Sequence, residues 1–289
     1  MSDSICIVFF NLINFNLVSI HLFCLFAFMK YQVFQVNSFT NKIFNGNPAC
    51  VVPLKEWLSD ELLLKIAREN AVSETAFFIK NGCEFHLRWF TPDLEMDLCG
   101  HATLATAHII KTELKYKSNI IHFKTLSGNL SVFFSDEFYY LNFPSRKPIK
   151  TKLPNKLKDS LNIQPKEIYK SRDYMLVYER EKEIYDIQIN RHNFDKINLG
   201  TGGVIFTAPG VKVDFVSRFF TPQATILEDS VTGSSHCSLI PFWSELLKKN
   251  MLKAKQVSER GGYLLCENKD NRVIIGGQAI LFSTGYFSI

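Results

Sequence analysis

Apolar and polar positions divide the 289-residue chain into three parts, 1–28, 29–145 and 146–289. From Ser4 to Met29 there is no Lys, Arg, Asp or Glu, and most of the stretch reads ICIVFFNLINFNLVSIHLFCLFAF. It is long enough to cross a bilayer, which takes roughly 20 residues. Asn11, Asn14 and Asn16 interrupt it, no basic segment precedes it, and no small-residue cleavage site follows it. It is therefore either a membrane anchor or translated sequence upstream of a true start at Met29. The second reading is preferred, because Met29-Lys30-Tyr31 opens a strand-like run at once. An anchor with its basic residues on the C-terminal side, from Lys30 on, also leaves the body of the protein in the cytoplasm.

From Tyr31 the pattern turns to short runs. Tyr31–Phe39 alternates as a half-buried strand. Ser59 caps a helix that runs through Asn70, with Leu62, Leu63 and Ile66 on one face. Ser73–Lys80 and Cys83–Phe90 read as strands joined at Asn81-Gly82, a hairpin signal. Ala102–Lys111 is helical, and Ile120–Lys124, Leu130–Phe134 and Phe138–Phe143 are strands. Further on, Tyr174–Tyr178, Gly203–Thr207 and Val213–Phe219 are extended, Ser235–Lys249 is a helix, and Tyr263–Glu267 and Arg272–Ile275 are strands. Few helices and many hairpins predict an α+β fold. Each half is expected to be a curved, mostly antiparallel sheet wrapped round one central helix. Pro and Lys cluster at Pro144–Pro154, which places the link between the halves there.

The two parts repeat each other. Arg88-Trp89-Phe90-Thr91-Pro92 returns as Arg218-Phe219-Phe220-Thr221-Pro222, and each copy is followed by acidic residues. Next comes a glycine that opens a small-residue helix, in Cys99-Gly100-His101-Ala102 and again in Thr232-Gly233-Ser234-Ser235. Gly100 precedes Gly128 by 28 residues, and Gly233 precedes Gly261 by 28. Two copies are too few for a solenoid. They predict two similar domains with a ligand cleft between them.

Composition removes several function classes. With 46% hydrophobic and 21% charged residues, the chain is neither disordered nor fibrous. The 26 Phe predict a large aromatic-rich core. The seven cysteines are odd in number and irregularly spaced, without C-x-x-C, which argues against zinc and a disulfide framework and for a reducing compartment. A net charge of +5, with lysines scattered over Lys147–Lys158 and Lys248–Lys255, gives no nucleic-acid surface.

A glycine ahead of a helix permits a tight turn and leaves the first amide N–H groups free, where the helix dipole adds positive potential. Such an end binds carboxylates, and two of them across a cleft would hold an acidic small molecule from both sides. Ionisable residues gather near these turns. Glu74 starts an otherwise apolar strand, where burial would raise its pKa and suit it to moving protons. His101 follows Gly100 directly. It is either a helix-start residue bonded to the backbone or a proton donor or substrate contact. Asp229 and Ser234 flank the second turn, and helix capping is the preferred reading for each. His108 and His236 read as packed core histidines.

These residues carry a resemblance. From Met29 on, the chain resembles the phenazine-biosynthesis PhzF-like proteins through Gly46-Asn47-Pro48-Ala49, Ser73-Glu74-Thr75-Ala76-Phe77, Cys99-Gly100-His101-Ala102-Thr103 and Asp229-Ser230-Val231-Thr232-Gly233-Ser234-Ser235-His236. The resemblance implies two pseudo-symmetric domains of the diaminopimelate-epimerase type, a homodimer, and isomerase chemistry without a cofactor or metal. It makes Glu74 the catalytic proton shuttle, with His101 and Asp229 beside it. Gly100, Gly233, Ser234 and Asn47 are then the substrate-binding residues. Ser230 stands where the family often has proline, which implies a less rigid turn.

Related epimerases use one cysteine per half. Here Cys99 stands at the first turn, and Ser230 is taken as its counterpart at the second. A hydroxyl is a far weaker acid and base than a thiol, so two-cysteine racemisation is disfavoured and Cys99 reads as a packed residue. The expectation is a cytoplasmic isomerase of a small carboxylate. The rivals are an amino-acid epimerase or racemase using Cys99, and a ligand-binding homologue without catalysis.

Overall fold

The computed structural model describes residues 29–289; the apolar stretch 1–28, read as an anchor or an upstream extension, lies outside the described residues. In the N-terminal half the strands are β1 (Lys30–Ser38), β2 (Asn47–Leu54), β3 (Glu74–Asn81), β4 (Glu84–Phe90), β5 (Glu95–Met96), β6 (Ile120–Thr125), β7 (Gly128–Ser135) and β8 (Phe138–Pro144). The helices there are α1 (Asp60–Asn70) and α2 (Gly100–Thr112). The C-terminal half begins with β9 (Ile149–Lys150), helix α3 (Asn155–Lys158), β10 (Glu167–Lys170) and β11 (Tyr174–Val177). Helices α4 (Glu181–Asp186) and α5 (Arg191–Phe194) precede β12 (Val204–Pro209), β13 (Phe215–Phe220) and β14 (Glu228–Asp229). Helix α6 (His236–Leu247) leads to β15 (Met251–Gln256), β16 (Gly262–Lys269), β17 (Arg272–Gly277) and β18 (Ala279–Ser288).

Local signals account for many of these elements. The Ser59 hydroxyl accepts the Leu62 N–H at the start of α1, and Ala71 ends it in the left-handed region at φ 51°. Asn81 pairs with Glu84 around Gly82, whose φ of +60° the turn requires. Strand β6 alternates, with Ile121 and Phe123 turned inward. Helix α2 is buried along nearly its whole length and α6 along most of it, as befits helices enclosed by a sheet rather than laid on one.

The strands form one continuous ladder in the order β18, β1, β2, β3, β4, β6, β7, β8, β17, β16, β15, β13, β12, β11, β10, β9, with β5 on β4 and β14 on β13. The order is symmetric about the antiparallel β8–β17 pair. The parallel pairs match as well: β2 with β3 and β4 with β6 in one half, β11 with β12 and β13 with β15 in the other. The fold is thus α+β, with two curved sheets each wrapped round one helix.

The sheets are mostly antiparallel, as expected, with two parallel pairs in each half. The Pro144–Pro154 segment is tied into the fold: Arg146 N–H donates to Cys237 O, and β9 pairs with β10. The halves exchange their last strands. β9 follows β8 but joins the C-terminal sheet, and β18 follows β17 but pairs along β1 from Lys30↔Ser288 to Ser38↔Ala279. A cut at 145/146 therefore divides the chain but not the sheets, since β18 completes the N-terminal one.

At the symmetric centre the N-termini of α2 and α6 meet. A Cβ on Gly100 would lie 2.8 Å from the Gly233 Cα, and one on Gly233 would lie 2.9 Å from the Gly100 Cα. Only glycine at both positions lets the two backbones come this close.

Candidate active site at the junction of the halves

A cavity of about 310 Å³ opens where the two helix ends meet. Its walls hold Glu74, Gly100 and His101 from the N-terminal half, and Asp229, Gly233 and Ser234 from the C-terminal half. Six of the seven residues singled out in the sequence thus share one space. Asn47 does not line it; it is fully buried behind the wall. Its Nδ2 lies 2.6 Å from Asp229 Oδ1, 2.9 Å from Val231 O and 3.0 Å from His101 Nδ1. It ties the two halves together from behind the lining, where a direct substrate contact was expected.

Glu74 starts β3 with its side chain 13% exposed, and His101 is 2% exposed. Glu74 Oε2 and His101 Nε2 lie 3.1 Å apart, close enough for an ion pair. The pair is not aligned as a hydrogen bond, so both atoms lack such a partner within the protein. Burial opposes a charge on His101, but neighbouring Cys99 and Glu74 outweigh it and carry its pKa well above the ordinary value. Burial pushes the Cys99 thiol up to about 11, with Glu74 adding to the effect. The thiol is therefore neutral near pH 7, which leaves Glu74 as the neighbour that favours a charge on His101. Burial also raises Asp229, against the pull of His101 and the hydrogen bonds from Thr232 and Asn47.

Asp229 caps no helix. Its Oδ2 accepts the Thr232 hydroxyl at 2.5 Å, and Ser235, the residue ahead of α6, makes no side-chain capping bond. Neither Asp229 nor Ser234 is placed where the helix could use it as a cap, which corrects both capping readings. Buried Gln256 clamps this turn, donating to Asp229 O at 2.6 Å and accepting from Thr232 N–H at 2.8 Å. Ser230 O accepts the Ser258 hydroxyl at 2.6 Å, which holds the turn where proline is absent.

Strand register fixes the internal equivalences. Phe90 pairs with Glu95 and Phe220 with Glu228, so Asp97 corresponds to Ser230 and Cys99 to Thr232. The counterpart of Cys99 is thus Thr232 and not Ser230; either way the second half offers a hydroxyl. Thr75 pairs with Phe90 and Val204 with Phe220, which sets Gly203 opposite Glu74. A Cβ there would meet Phe219 Cζ at 2.3 Å, so no side chain fits.

Sequence reasoning missed other parts of the site. Arg172, in the turn between β10 and β11, lines the cavity and binds buried Asp173 through two N–H groups at 3.0 and 2.9 Å. Nothing in Ser171-Arg172-Asp173 distinguishes it from an ordinary turn. The duplicated Thr-Pro segments form the mouth, where the Asp93 carboxylate accepts the Thr225 N–H at 3.1 Å and its hydroxyl at 2.9 Å. Their recurrence was the available signal. Glu74, Cys99 and His101 hold donor atoms within 4.8 Å of one another, a spacing a metal ion could use, although the protonated thiol opposes thiolate ligation.

Duplicated sheet-and-helix halves, joined at paired helix N-termini round a carboxylate and an imidazole, define an enzyme of the epimerase-like α+β class. The family follows from comparison. Residues 36–285 match the model of the phenazine biosynthesis-like proteins, PhzC-PhzF, and the chain belongs to that family. It is 42% identical over 258 residues to an uncharacterized isomerase of Pseudomonas aeruginosa, covering 89% of this chain and 98% of the relative. The crystal structure of a PhzF-family protein from Enterococcus faecalis superposes with a TM-score of 0.85 at 44% identity, covering 90% of this chain and all of the other. A Pseudomonas aeruginosa protein described as a predicted epimerase shares the fold alone, at 18% identity and a TM-score of 0.68 over 89% of this chain and 99% of its own. The chain is an isomerase in class. Among the described residues no helix is long and apolar enough to cross a membrane.

Proposed function

We propose that the protein isomerises a small carboxylate-bearing substrate in the cytoplasm, with Glu74 moving a proton from one carbon to another. The observation that carries this reading is the pairing of Glu74 with His101 at 3.1 Å on a cavity wall whose symmetric counterpart is Gly203. With Glu74 taking the proton and a glycine at the matching position of the other half, the proton leaves and returns on one face of the substrate. A racemase needs acids on both faces, and the neutral Cys99 thiol has a threonine as its counterpart in the other half. The electrons freed at carbon pass into the conjugated carboxylate. Its developing charge would be met by the amide N–H groups at the starts of α2 and α6. His101, held positive by Glu74, steadies the carboxylate while it is ionised, and Asp229 assists the transfer. Asn47 acts through these two as a positioning residue.

A homodimer belongs to the same reading. The outward face of β6 and β7 exposes Ile120 and Phe133, which supports burial against a second copy.

The test is a screen of small carboxylates in heavy water by NMR. The substrate is expected to gain deuterium at carbon and change its double-bond position. Glu74→Gln should keep the fold and slow this by about 10³-fold, within the usual 10²–10⁴ of general acid–base catalysis. Near-full activity in that variant removes Glu74 from its role. A ligand bound without exchange favours a binding homologue.

A further inference from the structure

We infer that Arg172 anchors the substrate carboxylate from the C-terminal half, leaving the carbon to be deprotonated facing Glu74. The inference deepens the proposed function and rests on it for the reaction, though not for the binding.

Arg172 is held by two neighbours. Its Nε and Nη2 donate to the two oxygens of Asp173, which is 1% exposed and also accepts the Gly203 N–H at 2.8 Å. Nη2 reaches the Ser234 hydroxyl at 3.0 Å. These bonds fix the planar fork before any ligand arrives. Nη1 carries two further N–H groups, is buried, and has no hydrogen-bond partner. Leaving a charged donor buried and unpaired costs free energy that no contact among the described residues returns. A ligand carboxylate returns it through a charge-assisted bond from Nη1, beside the Ser234 hydroxyl that takes the neighbouring Nη2 N–H.

Neighbouring groups complete the anchor. The Ser234 hydroxyl lies beside the fork, and the N–H groups of Gly233 and Ser234, ahead of α6, donate to no acceptor among the described residues. Guanidinium, hydroxyl and amides come from the C-terminal half, Glu74 and His101 from the N-terminal half, and all line the same cavity. Charge limits the ligand as well. Glu74 is balanced by His101 and Asp173 by Arg172, and Asp229 remains as a further acid. With both cations already paired, a ligand carboxylate is held by hydrogen-bond donors rather than by surplus positive charge, and each further carboxylate adds uncompensated negative charge in a poorly hydrated space. Leu94, Met96, Phe219 and Ile226 offer apolar walls for the rest of the molecule.

The experiment uses the full chain and the probe benzoate, with benzamide as its uncharged isostere, by isothermal titration calorimetry. Benzoate is expected to bind and benzamide to bind at least ~10-fold more weakly. Arg172→Gln alone strands the buried Asp173 carboxylate and endangers the fold. The decisive variant is therefore Arg172→Gln/Asp173→Asn, checked by thermal unfolding, with Arg172→Lys as companion. Both should weaken benzoate by about 10- to 100-fold and leave benzamide unchanged. Benzoate held within about 3-fold by the folded double variant overturns the inference, as does equal binding of the two probes or binding of neither. Arg172-dependent binding without carbon exchange in any carboxylate refutes the isomerase reading alone. Exchange that needs Glu74 but not Arg172 refutes the anchor alone.

Discussion

Placing a methyl group on Gly100 tests the geometry on which the site depends. The Cβ of Gly100→Ala would stand 2.8 Å from the Gly233 Cα and 3.3 Å from its carbonyl carbon, against an ordinary contact of 3.4–4 Å. The obstructing atoms are backbone, so no side chain can rotate away. Either the two helix ends part by about half an ångström or the β8–β17 seam deforms. Overpacking of this kind costs about 1–3 kcal/mol, and the upper part applies where both surfaces are backbone. For a domain of this size each kcal/mol lowers Tm by roughly 2–4 °C, so a loss of about 4–12 °C is expected. The amides at both helix starts shift with the backbone. Displacement on the scale of an ångström at a reacting centre costs up to about 10²-fold in rate. Gly82→Ala is the control, with φ +60° and no atom within 4 Å of its added Cβ. It pays only for left-handed backbone, about 1–2 kcal/mol, and should leave the rate intact. Calorimetric unfolding and deuterium exchange into the turned-over carboxylate measure both effects. A Gly100→Ala protein with the control's Tm and the parent's rate would mean that the helix ends do not abut.

Two other perturbations separate structure from chemistry. His236 is fully buried, its Nδ1 donates to Thr232 O at 2.8 Å, and burial brings its pKa down to about 4. The unfolded chain protonates first as pH falls, so the stability of the neutral form is complete above about pH 6.5 and lost toward pH 4, a difference of about 3 kcal/mol. Urea midpoints at the two ends of this range should converge in His236→Gln; an equal decline in parent and variant would refute the assignment. Cys99→Ala should keep carbon exchange within about 3-fold of the parent, because a thiol pushed up to about 11 is neutral at working pH. Exchange abolished in that variant would restore a cysteine-based epimerase.

How much of this was legible in the sequence differs from residue to residue, for physical reasons. Gly100 and Gly233 could be read because a helix-start glycine recurs at matched spacing. Glu74 could be read because a carboxylate opens an apolar strand. Strand β2 escaped because it is covered on both sides and so lacks the alternation that marks a half-exposed strand. The exchange of β18 escaped because it joins Lys30 to Ser288, a pairing that no local pattern encodes. Asn47 was visible as part of a motif, but its service to Asp229 needs the two halves superposed. Arg172 acquires meaning only through Ser234, far along the chain.

These gaps share a cause that bears on mechanism. Duplication shows in the sequence wherever both copies keep the same task, as the Arg88–Glu95 and Arg218–Glu228 pairs do, each bidentate at 2.6–2.8 Å. Where the tasks have diverged, one copy gives no clue to the other. Glu74 corresponds to Gly203, Cys99 to Thr232, and the His101 position after the glycine is Ser234 in the second half. Apart from Asp229, every carboxylate, imidazole and thiol that lines the cavity thus falls to the N-terminal half. The C-terminal half keeps hydroxyls, amides and a fixed guanidinium, which grip without titrating. Such a division suits a reaction in which one side of the substrate is held still while the other trades a proton. It is poorly suited to inversion at carbon, which would demand a second acid where Phe219 fills the space.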